Sequence, residues 1–130
     1  MPNSKQHREH ADRNRAFLAT IDVAKFPDWA SVVAFYTAVH LVERLRATSD
    51  DHSINHEDRL HFLHGKPYRS AIFGAYRVLF NASLIARYET ASSFATQFTS
   101  TEVQTVLIDK HLVAIEQFVT ASFAPNPPTP

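Results

Sequence analysis

The chain has 130 residues, 45% hydrophobic and 20% charged, the balance of one soluble domain with a sizeable core. Its 13 basic side chains match 13 acidic ones, which excludes a global field that draws the protein to nucleic acid or an anionic membrane. The absence of cysteine excludes disulfides and thiolate zinc sites, and Gly65 and Gly74 alone are too few for a turn-rich all-β fold or a Gly-rich phosphate loop.

Residues 1–10 are polar and do not read as a secretory signal. A first helix is predicted over residues 4–20, with Asn3 or Ser4 as cap. Lys5/Glu9, Arg8/Asp12 and Glu9/Arg13 are one turn apart on a solvated face, and Phe17 and Leu18 mark the end that packs. A second helix is predicted over residues 27–47, opened by Pro27 and by Asp28 beside the positive end of the helix dipole. Its apolar stretch is shorter than the ~20 residues a membrane helix needs, so the expectation is a cytoplasmic protein with no membrane partner. After the polar stretch 48–55, Asn55 caps a short helix that runs through His64, with Gly65 as its stop.

Residues 68–88 are apolar on nearly every side, which predicts a helix in the middle of a bundle or in an oligomer interface. Residues 90–98, rich in Ser, Thr and Ala, read as a loop. Thr99 and Glu102 form a capping box that opens a last helix ending near residue 122. The expectation is an all-α bundle of four to five helices over residues 1–123, followed by a Pro-rich disordered tail over 124–130.

Polar side chains recur within these apolar helices. On the second helix Trp29, Val33, Tyr36, His40 and Glu43 share one stripe by helical spacing. That stripe is either a core histidine held by a carboxylate among space-filling aromatics, or the lining of a site. Arg44 and Arg46 fall on the side read as solvated. On the central helix Tyr76, Phe80, Ser83 and Arg87 share a stripe, with Tyr88 next to its end. Arg87 suits a helix C-terminus, where it satisfies final carbonyls, or it reaches Glu43 or a phosphate. Ser83 is expected to bond back to the carbonyl of Leu79.

Four of the eight histidines, His52, His56, His61 and His64, crowd the connection between these helices. Asp50, Asp51, Glu57 and Asp58 lie close in sequence, yet no paired-histidine metal signature is present, so no metal ligand and no cofactor are assigned. Arg59 and His64 have the chemistry of metal-independent RNA cleavage: an imidazole to move the proton and a guanidinium to hold the phosphate. Arg46 and His52 offer a second pair of similar spacing.

Trp29, Phe35-Tyr36, His40 and Glu43, then His56-x-x-Arg59, then Tyr76, Leu79, Ser83 and Ala86-Arg87-Tyr88 together resemble the HEPN superfamily of small prokaryotic helical bundles. The likeness is to its short stand-alone members and spans residues 5–88, the last helix fitting by length and pattern. It implies a helical-bundle homodimer associated with toxin–antitoxin, CRISPR and other defence systems, and with RNA, nucleotide or cognate protein partners. Active members are ribonucleases that pair an Arg-x(4–6)-His motif with that of the dimer mate, a role open here to Arg59 and His64. Active members commonly carry a polar residue directly after the arginine, where this chain has Leu60. The functional expectation is therefore a non-catalytic binding module, with the ribonuclease as the alternative.

Overall fold

The computed structural model describes residues 1–125, and the rest of the Pro-rich tail expected from the sequence lies outside the described residues. Six helices follow one another without a strand among the described residues. They are α1 (Ser4–Thr20), α2 (Pro27–Ala47), α3 (His56–Leu63), α4 (a π-wound turn Arg69–Phe73 continuing as Gly74–Tyr88), α5 (Ala91–Gln97) and α6. The last is continuous from Ser100–Glu102 through a π-wound middle, Val103–Leu112, to Val113–Ser122.

The all-α expectation holds, but the helix count exceeds four to five. The residues read as a loop contain α5, whose cap Thr90 accepts a hydrogen bond from the Ser93 N–H. Composition hid the fact that Phe94 is fully buried and stacks on Phe98 at 5.3 Å, which fixes this short helix against the core. Elsewhere the capping chemistry follows the sequence. Asn3 and Gln6 form a reciprocal box at α1, as Thr99 and Glu102 do at α6, satisfying amides that have no partner within the helix. Gly65 follows α3 without entering the left-handed region; Asp50 does so instead, at φ 56°, in the turn after α2.

α2 is the axis of the molecule and packs on α1, α4 and α6. Ala30, Ala34 and Ala38 recur every fourth residue and are fully buried, a small-residue ridge that lets neighbours approach closely. The buried apolar residues form one cluster that runs from Ala11 to Val119. In α6 the core positions are Val103, Leu107, Ile108, Leu112, Ile115 and Val119. The stripe changes phase at the adjacent pair Leu107 and Ile108, and the wider π turn there absorbs the extra residue, so both halves face the core. α4 is less apolar than its sequence suggests: Ile72, Tyr76, Leu79 and Ser83 face inward, whereas Arg69, Gly74, Arg77 and Asn81 are exposed. It is an amphipathic wall of the bundle, not a helix buried all round. No described helix is long and apolar enough to cross a membrane.

Candidate functional site

The α2 stripe is divided among three settings along its length. At its start Trp29 is 62% exposed and, with Phe17, Ile21, Phe26 and Val33, rims an apolar hollow of about 370 Å³ between the end of α1 and the beginning of α2. Trp29 therefore stands apart from the polar network in which the sequence placed it. A helix shows which side a residue faces, but not where its neighbours stop.

One turn past Val33, the Tyr36 hydroxyl accepts a hydrogen bond from Arg87 Nη1 at 3.3 Å. Arg87 Nε donates to the Ser83 carbonyl at 3.3 Å, as its place at the end of α4 suggests. Its guanidinium lies over the rings of Tyr36 and Tyr88, 5.7 and 5.2 Å from their centroids, and Nη2 is buried with no hydrogen-bond partner among the described residues. Arg87 thus combines the carbonyl role with a tie to Tyr36, and it does not reach Glu43. Ser83 bonds to the carbonyl of Phe80, one residue later than expected. Tyr88 itself is 75% exposed.

Glu43 anchors the centre. Its Oε1 accepts from Arg59 Nε at 2.7 Å and its Oε2 from the Ser53 N–H at 3.2 Å, with Glu43 and Arg59 both buried. Arg59 Nη1 also donates to His56 Nδ1 at 2.9 Å and to the Tyr76 hydroxyl at 3.4 Å. Phe35 packs against this group, its ring 5.2–5.5 Å from those of Tyr36, His56, Tyr76 and Phe80. Burial alone would raise the Glu43 carboxyl, but the Ser53 and Arg59 hydrogen bonds outweigh it and hold the group below its ordinary value. Burial, opposed by Arg59, pushes the Tyr76 phenol up to about 12, and burial with the Arg59 charge lowers His56. The group is therefore an ion pair in which both remaining partners are neutral.

His64 is exposed and lies on Phe73, with ring centroids 4.3 Å apart, outside this network. The sequence-based pairing of Arg59 with His64 is not assembled within the chain. Arg46 is held too, by Asp51 at 2.8 Å and Asp58 at 3.3 Å, and its side chain is only 11% exposed. It is not the solvated residue the helical pattern implied. The polar connection that follows α2 folds back over the helix and covers it.

One turn before Glu43, His40 meets two α1 histidines, His7 and His10, that sequence reasoning passed over. His7, only 7% exposed, places Nδ1 3.1 Å from His40 Nδ1, and His10 stacks on His40 with centroids 3.9 Å apart. His7, Glu43 and His52 offer ligand atoms that all lie within 4.8 Å of one another. They line a cavity of about 210 Å³ together with Met1, Pro2, Val39, His40, Ser53 and Arg59. Burial, then the neighbouring His10, His7 and Arg59, pushes His40 down to about 4, and burial also lowers His7. Both rings are neutral at neutral pH. A signal for His7 was present: Ala11 and Leu18 define the inward stripe of α1, and one turn back along it is His7. Against protein-family models, curated proteins and solved structures, the chain shows no match.

Proposed function

We propose that the chain is a HEPN-like helical module that works by binding a protein partner, a second copy of itself in the first instance, and not by cleaving RNA. The observation that carries this reading is the Arg59–Glu43 ion pair. A guanidinium that serves a scissile phosphate must be free to face it. Arg59 is 7% exposed and commits Nε to Glu43 and Nη1 to His56 and Tyr76. Exposing it to a phosphate, in this chain or across a dimer, would leave Glu43 buried without its counter-ion, which typically costs about 3–5 kcal/mol.

Support for a binding role comes from the opposite kind of residue. Phe17, Phe26 and Trp29 are 56%, 46% and 62% exposed and border one hollow. Clustered exposed aromatics mark interaction surfaces, where they act as anchors. The resemblance supplies the proposed setting, prokaryotic defence or a toxin–antitoxin pair.

The test is incubation of purified protein with labelled single-stranded and structured RNA in EDTA, wild type beside His64→Ala. The expected result is intact RNA in both. Cleavage by wild type that disappears in His64→Ala would replace the binding module with the ribonuclease.

A further inference from the structure

The buried face between α1, α2 and the 48–55 connection holds a set of donors for which the binding reading has no use. His7 comes from the first turns of α1, Glu43 from the interior of α2 and His52 from the connection. We propose that His7, Glu43 and His52 form a site for a first-row divalent transition-metal ion, with zinc(II) as the reference ion, that clips these three elements together. This goes beyond the binding role and does not depend on it.

The chemistry of the donor set fits. Two imidazoles and one carboxylate are a borderline nitrogen–oxygen set of the kind zinc takes, leaving further positions for water. Tetrahedral ligands at about 2.1 Å from one ion are ~3.4 Å apart. The three ligand atoms lie within 4.8 Å of one another, so closure needs a movement of up to ~1.4 Å. His52, half-buried on the connection and not in a helix, can supply it.

The surroundings supply orientation. A metal-binding histidine usually donates its other ring N–H to an acceptor, which fixes its tautomer. His40 Nδ1 lies 3.1 Å from His7 Nδ1. With His40 Nδ1 as the acceptor, His7 carries its proton on Nδ1 and presents a bare Nε2. His40 is then a positioning residue, held in turn by the stacked ring of His10.

Glu43 accepts one hydrogen bond on each oxygen, from Arg59 and from Ser53. A carboxylate has about four acceptor positions, so lone pairs remain for an ion. The Arg59 charge opposes the cation, and the Glu43 charge between them offsets that repulsion.

Tag-free full-length protein, stripped with EDTA and dialysed, would be titrated with zinc chloride alone and assayed for bound metal and for thermal midpoint. The expected result is one zinc per chain, a raised midpoint, and binding at least about tenfold weaker in His52→Ala. His52 is on the connection, so its loss should leave the apo fold intact by circular dichroism. A His61→Ala/His64→Ala variant, which removes exposed histidines only, should bind as wild type does. The proposal is overturned if the chain takes up no zinc, if His52→Ala binds unchanged, or if binding is lost with His61 and His64 instead.

Discussion

At the scale of the residue, the Glu43–Arg59 pair shows why a buried charge is retained only with its counter-ion. The pair is 2.7 Å apart and shielded from water, so removing one member leaves the other without compensation. Glu43→Ala is expected to lower unfolding free energy by about 3–5 kcal/mol, whereas Glu43→Met with Arg59→Met should recover most of the loss. Denaturant midpoints of Glu43→Met, Arg59→Met and the double would measure the coupling directly. A double variant no more stable than the singles would show that the pair matters through the surrounding Ser53, His56 and Tyr76 contacts.

His40 sets the response to acid. Its folded value of about 4 lies below the ordinary 6.5, so the unfolded chain takes up a proton before the folded one does. The stability this half-buried neutral ring confers is fully present above pH 6.5 and is lost as pH falls towards 4. Facing it are His7, His10, Arg59 and Glu43, whose carboxyl titrates below its ordinary 4.5. The window between pH 6.5 and 4.5 therefore reports the histidines. With allowance for solvent screening, His40 contributes on the order of 1–2 kcal/mol there. Urea midpoints should fall across that window, and His40→Gln should flatten the curve; an equal fall in the variant would assign the effect to His7, His56 and His111, which burial also lowers.

At the scale of the element, α2 organises the molecule because one residue in every turn reaches a different neighbour. Phe35 illustrates the packing side: fully buried, it touches the rings of Tyr36, His56, Tyr76 and Phe80. Phe35→Ala should cost about 3–5 kcal/mol by thermal or urea unfolding, a large part of the ~5–15 kcal/mol of a typical domain. A loss under 1 kcal/mol would mean the site collapses around the cavity.

The helices of this fold were legible because caps and periodicity are local. Asn3, Pro27, Asn55 and the Thr99–Glu102 box each mark a boundary the structure observes. Glu43, Arg59, His56 and Tyr76 were individually legible as misplaced polar residues in apolar helices. Their meeting point was not, because it depends on how α3 docks on α2. Two features defeated local reading for stated reasons. α5 is held by the tertiary burial of Phe94, and the π-wound middle of α6 shifts the phase of its stripe in a way no 3.6-residue template contains. His7 was missed because a polar first turn conceals that Ala11 and Leu18 point the same way.

At the scale of the whole molecule, the core is closed while one end stays apolar and open. The hollow at Phe17, Phe26 and Trp29 lies between the end of α1 and the start of α2, and the His7–Glu43–His52 group lies further along α2. A dimer built on that hollow should dissociate when an anchor is removed. Trp29→Ser is expected to cost about 2 kcal/mol of association, roughly thirtyfold in dissociation constant. Light scattering over a concentration series would read it, and a wild-type chain that is monomeric throughout would move the face from self-association to a different protein.

The 48–55 connection has one more consequence. By composition it is a tether, yet its amides are held one after another: His52 by the Asp51 carboxylate, Ser53 by Glu43 and Ile54 by Asp58. Arg46 grips Asp51, Ser53 and Asp58 from beneath. These bonds run to acidic side chains and not to a backbone ladder, so the segment should resist proteases and protect its amides from deuterium as a helix would. Below the ordinary carboxylate range, where Glu43 and Asp51 take up protons, it should surrender that protection before the helices around it do.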